Sequence, residues 1–203
     1  TVPVSIALYV SGAVTVVDSA EWKGVLSVQR SRTNAVITIE NGAPLQNKNG
    51  IVYFHLEDIR SARINSLQIA QAMNCNYYFT TSNEFILESN TIKNLITRDK
   101  NCIGPILKKD NTDWTNIWMS VDSKGFYERS FDYLPIIKGE RKGIWNCAYI
   151  NNCFLLKREL FQDAIQGYKS YLNLDVDMSI CQYFRDKYIF MFADNLEYYG
   201  KVL

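Results

Sequence analysis

Strand and helix signals alternate through the first hundred residues, and no other feature of the sequence limits the fold as strongly. Val4-Ser5-Ile6-Ala7-Leu8-Tyr9-Val10 is a β-branched, strand-forming opener. Val36-Ile37-Thr38-Ile39-Glu40 repeats the signal and stops at the turn residues Asn41-Gly42-Ala43-Pro44. Ile51 to Leu56 is a third apolar run, preceded by Asn49-Gly50. With Asp58 as predicted N-cap, Ile59, Ala62, Arg63, Leu67, Ala70 and Met73 then recur at helical spacing up to Asn74. Cys75 to Thr80 predicts an aromatic-rich strand running into a polar knot, Thr81-Ser82-Asn83-Glu84, with Phe85-Ile86-Leu87 behind it. Ser89 or Asn90 stands where it would cap another helix through Leu95 and Ile96, and Cys102 to Leu107 is a short strand around Gly104-Pro105. This alternation predicts an α/β fold with a mostly parallel sheet flanked by helices. Ligands of such sheets bind beyond the carboxyl ends of the strands, so the knot at Thr81 to Glu84 stands where a site is expected.

The second half is denser in aromatics, among them Trp114, Trp118, Phe126, Tyr127, Phe131, Tyr133, Trp145, Tyr149 and Phe154. Tyr149 to Leu156 predicts a strand, Leu160 to Tyr171 and Asp177 to Lys187 predict helices, and Tyr188 to Phe192 predicts a last buried strand. The 203 residues are 47% hydrophobic, enough for one packed core. With no internal repeat, low-complexity tract or linker, residues 1–203 are expected to form a single domain.

Charge and side-chain inventory exclude several functions. Lys and Arg number 22 against 21 Asp and Glu, so no field of one sign is available to attract nucleic acid or an anionic membrane surface. The apolar stretch from Val2 to Val17 is interrupted by Ser5, Ser11, Gly12 and Thr15 and is too short to span a bilayer, so no integral membrane segment is expected. His55 is the single histidine: an iron site of two histidines and a carboxylate cannot be built, and any histidine-based hydrolase would need that one residue. Its setting in an apolar run suits a hydrogen-bonded strand residue better than a base. The five cysteines include no CxxC pair, which argues against a zinc site. Cys147 and Cys153 would form a local bridge if the backbone turned between them, and buried small hydrophobes are the other reading.

From Cys75 onward the order of features is similar to the second glycosyltransferase-like domain of the procollagen-lysine dioxygenases, the collagen lysyl hydroxylases, and resembles the related collagen galactosyltransferases. The densest match is Trp114-Thr115-Asn116-Ile117-Trp118, then Gly125-Phe126-Tyr127-Glu128-Arg129-Ser130 and Asp132-Tyr133. Gly139, Gly143-Ile144-Trp145-Asn146, Tyr149, Asn152 and Phe154-Leu155-Leu156 continue it. Trp145-Asn146 and Asp175-Val176-Asp177-Met178 favour the lysyl hydroxylase group. The resemblance implies a GT-A-like, Rossmann-related fold. In active members an aspartate-x-aspartate motif at a strand end holds a divalent metal on the diphosphate of a sugar nucleotide. Here that motif position reads Thr81-Ser82-Asn83, without a carboxylate, and Glu84 falls one residue late. A histidine usually supplied near the C-terminal end is also missing; Asp194 and Glu197 are the acids in that stretch.

The expectation is therefore a non-catalytic accessory domain, a pseudoenzyme with no catalytic, cofactor-binding or metal residues of its own. Glu84, Asp175 and Asp177 are the remaining candidates. The alternative is an active metal-dependent collagen glycosyltransferase using Glu84 with Asp194 or Glu197. Asp175 and Asp177 have two readings: a remnant of the acceptor-side base region, or caps of the helix starting near Met178, and capping is the preferred one. Trp114, Trp118 and Trp145 would stack on sugar or a collagenous chain, or fill the core, and core is the preferred reading. In the parent enzyme the resemblance implies Fe(II), 2-oxoglutarate, ascorbate and Mn2+ in neighbouring domains of the same polypeptide. It further implies a collagen substrate, a homodimer, and residence in the endoplasmic reticulum lumen.

Overall fold

The computed structural model describes the backbone at residues 6–11, 15–17, 24–29, 38–40 and 52–55, and then 58–124 and 126–203; before residue 58, only Ala7 and Leu8 have described side chains. Strands β1 (Ile6–Ser11), β2 (Thr15–Val17), β3 (Gly24–Gln29), β4 (Thr38–Glu40) and β5 (Val52–His55) precede helix α1 (Ile59–Ala72). After it come β6 (Tyr77–Ser82), β7 (Phe85–Leu87), α2 (Thr91–Thr97), β8 (Cys102–Pro105) and β9 (Lys108–Lys109). The aromatic stretch carries β10 (Ile117–Trp118), β11 (Ser120–Val121), β12 (Tyr127–Glu128), α3 (Tyr133–Ile137), β13 (Ile144–Cys147), β14 (Tyr149–Ile150) and β15 (Phe154–Lys157). A 3-10 turn at Arg158–Leu160 leads into α4 (Phe161–Lys169), α5 (Val176–Asp186), β16 (Met191–Asp194) and β17 (Gly200–Val202).

Eight strands form one sheet in the order β13-β16-β8-β15-β6-β1-β3-β5. β1 runs parallel to β3 and β6, and β3 to β5. β15 is antiparallel to both β6 and β8, and β16 is parallel to β8. The carboxyl ends of β1, β3, β5, β6, β8 and β16 therefore share one edge. Ser82, Pro105 and Asp194 close their strands there.

Side-chain alternation splits the interior into two cores. Cys102 faces the layer of α1, α4 and α5 with Tyr78, Phe161, Tyr168 and Phe184, whereas Ile103, one residue on, faces the other side with Phe79, Leu95 and Leu155. Asp58 caps α1 as its position predicts, accepting from the Arg60 and Ser61 amides.

The polar knot begins later than its composition suggests. Thr81 and Ser82 belong to β6, buried and in register with Val10 and Ser11 of β1, so pairing with β1 overrides their polarity. The run from Tyr149 to Leu156 is two strands, because Asn152 turns the chain at φ 54° between β14, which pairs with β10, and β15. The last strand of the main sheet starts at Met191, since Tyr188 is the left-handed residue (φ 55°) that ends α5: its amide donates to Arg185 O and that of Ile189 to Phe184 O. Tyr188 and Phe190 are accordingly exposed rather than core. β17 has no counterpart in the sequence reading. It fits between β7 and β9 only because Gly200, at φ 123°, has no Cβ; one would lie 1.9 Å from Ile86 O.

Candidate functional site

At the carboxyl end of β6 the side chains are short and neutral. Thr80, Thr81 and Ser82 are buried, and the Thr80 hydroxyl makes no hydrogen bond among the described residues. Asn83 and Glu84 form the exposed turn that follows; the Glu84 amide donates to Ser82 Oγ at 3.3 Å, and its carbonyl accepts from Leu203 N at 2.9 Å. Glu84 is thus fixed through its backbone with its carboxylate in solvent. Two hydroxyls and an amide bring no negative charge, and this donor set does not suit a hard dication. Among the described residues, no three His, Cys, Asp or Glu side chains are grouped to hold a metal ion. His55 ends β5 at the same edge, but its side chain lies outside the described residues.

The carboxylates lie elsewhere and are committed to other bonds. Asp175 caps α5, accepting from the Asp177 and Met178 amides at 3.0 Å each, which agrees with the capping reading. Asp177 departs from it. Its side chain turns inward to an ion pair with Arg63 of α1, whose own side chain is fully buried. The same guanidinium donates to Asn152 Oδ1 and lies 5.6 Å from the Tyr168 ring centre, with the Tyr168 hydroxyl at 3.4 Å. Burial pushes the Asp177 carboxyl above its ordinary range and Arg63 pulls against that shift. Beside it Arg60 donates to Tyr168 O (2.6 Å), Leu174 O (2.7 Å) and Ser179 Oγ (3.0 Å). Two arginines of α1 therefore clamp the α4–α5 corner.

Asp194 is equally committed. Fully buried at the end of β16, it accepts from Arg98 Nε (2.8 Å), the Tyr199 hydroxyl (2.7 Å) and the Leu196 amide (2.7 Å). Arg98 also approaches Glu197 at 3.5 Å, so one guanidinium engages both acids that the alternative reading offers as a partner for Glu84 at a metal. The hydrogen bonds of Arg98 to the Tyr199 hydroxyl and to Asp194 raise its pKa further, and burial raises that of Tyr199.

Trp114, Trp118 and Trp145 are not core. Trp114 is 41% exposed, and Trp118 and Trp145 are partly buried. The Trp145 ring has two close neighbours: Arg141 sits 4.9 Å from its centre, and a Cβ on Gly143 would lie 3.0 Å from it. Its Nε1 donates to Asn195 Oδ1 at 3.0 Å. Trp118 stacks on Tyr133 at 5.7 Å, and Arg129 lies 5.4 Å from the Tyr133 ring centre. Only Trp114 has no ring or cation contact among the described residues. All five cysteines are free and buried, so Cys147 and Cys153 are not bridged.

Sequence reasoning missed Arg63 and Asn152. The signal was present for Arg63: a charged residue on the apolar stripe with Ala62, Leu67 and Ala70 requires a buried partner. Nothing local marked Asn152 as that partner.

The parallel strands sharing one carboxyl edge, the antiparallel β15 inserted between β6 and β8, and the helices on both faces define a GT-A-type glycosyltransferase fold. A crystal structure of GalNAc-T7 with UDP, GalNAc and Mn2+ superposes with a TM-score of 0.56 at 12% identity, covering 94% of this chain and 42% of that one. The chain belongs to the family described as glycosyltransferase family 25, N-terminal domain, whose model matches residues 36–196. Its sequence relatives include the mouse procollagen-lysine,2-oxoglutarate 5-dioxygenase 1, 36% identical over 136 residues. The multifunctional procollagen lysine hydroxylase and glycosyltransferase of Caenorhabditis elegans is 32% identical over 180 residues. The two alignments cover 66% and 82% of this chain but only 19% and 25% of the relatives. The match reaches forward to residue 36, beyond the stretch whose motifs are recognisable by eye. Among the described residues, no helix is long and apolar enough to cross a membrane.

Proposed function

We propose that this chain is a non-catalytic, glycosyltransferase-like accessory domain of a collagen lysyl hydroxylase. It acts as a structural module beside the dioxygenase and glycosyltransferase domains of the same polypeptide, in the endoplasmic reticulum lumen. The observation that carries the reading is the end of β6, where Thr81, Ser82 and Asn83 stand in place of metal-binding acids and Glu84 points to solvent. Asp175, Asp177 and Asp194 are each held by amides, guanidinium groups or a tyrosine hydroxyl, which leaves the alternative metal-dependent transferase without a donor set among the described residues. On this reading Fe(II), 2-oxoglutarate and ascorbate serve the dioxygenase domain, Mn2+ serves the active transferase domain, and collagen is the substrate of the whole protein.

Titration of the chain with Mn2+ and UDP-glucose or UDP-galactose, followed by an assay for sugar-nucleotide hydrolysis, tests the proposal. The expected result is no metal-dependent binding and no turnover. Micromolar binding accompanied by turnover that Glu84→Ala abolishes would establish the transferase instead.

A further inference from the structure

We draw no further inference here: the strongest candidate, the aromatic surface patch at Tyr188 and Phe190 between α5 and β16, is 88% and 64% exposed at its two residues, but nothing in the structure shows what covers it.

Discussion

The end of β6 and the start of α5 occupy comparable places in the fold, and their chemistry is opposite. The first is where a metal-binding acid pair is expected, and its Thr81-Ser82-Asn83 brings none. The second has an aspartate-x-aspartate pair, and both acids hold the fold together: Asp175 on backbone amides, Asp177 on a buried guanidinium. The difference shows that an acid pair is informative only with its partners. A carboxylate enclosed by Arg63, Asn152 and Tyr168 serves packing, whereas that of Glu84 stands exposed in a turn.

The sharpest way to break this comparison is to remove the guanidinium. Arg63→Met leaves Asp177 buried with no counter-charge, and about 3–5 kcal/mol of stability is expected to be lost, read by urea denaturation. Pairing Arg63→Met with Asp177→Leu should recover most of that loss, because an apolar pair carries no desolvation penalty. A single variant as stable as the parent would show that the pair does not hold the corner. Asp194→Asn ranks next. It removes the negative charge that Arg98 and Tyr199 both donate to, and about 2 kcal/mol is expected to go in the same measurement. Asp175→Ala should cost about 1 kcal/mol, the usual worth of a helix cap. Glu84→Ala should change stability by less than about 0.5 kcal/mol, since its carboxylate contacts nothing that folding depends on.

The sequence disclosed the fold where local pattern and tertiary role agree, and concealed it where they conflict. Asp58 and the spacing from Ile59 to Met73 place α1, and its end at Asn74 follows from a residue that tolerates the left-handed conformation (φ 60°). The end of α5 needs the same conformation from Tyr188, which no local rule assigns to a bulky aromatic, so the apolar pattern alone predicts strand at Tyr188 and Phe190. Thr81 and Ser82 looked like loop because their polarity was visible and their pairing with β1 was not. At the candidate site the missing acids were legible residue by residue. The roles of Asp177 and Asp194 were not, because their partners Arg63 and Arg98 are 114 and 96 residues away in the chain.

The smallest effect separates a carboxylate that works as a charge from one that works as a hydrogen-bond acceptor. Asp58 caps the same helix that carries Arg63, and the Ser61 hydroxyl, with the Ser61 and Arg60 amides, holds its carboxyl below the ordinary value of 3.8. A folded-state pKa below the unfolded one stabilises the native state above that unfolded value, and the contribution is lost as pH falls through the folded pKa. Asp58→Asn keeps an acceptor at the cap, so stability at neutral pH should stay within about 0.5 kcal/mol of the parent. Below pH 3.8 the parent should lose stability more steeply than the variant, because only the parent has this carboxylate to protonate. Denaturant titrations from pH 3 to 7 check the slope. Parallel curves would mean that Asp58 acts through its geometry alone and that its charge contributes nothing to the α1 terminus.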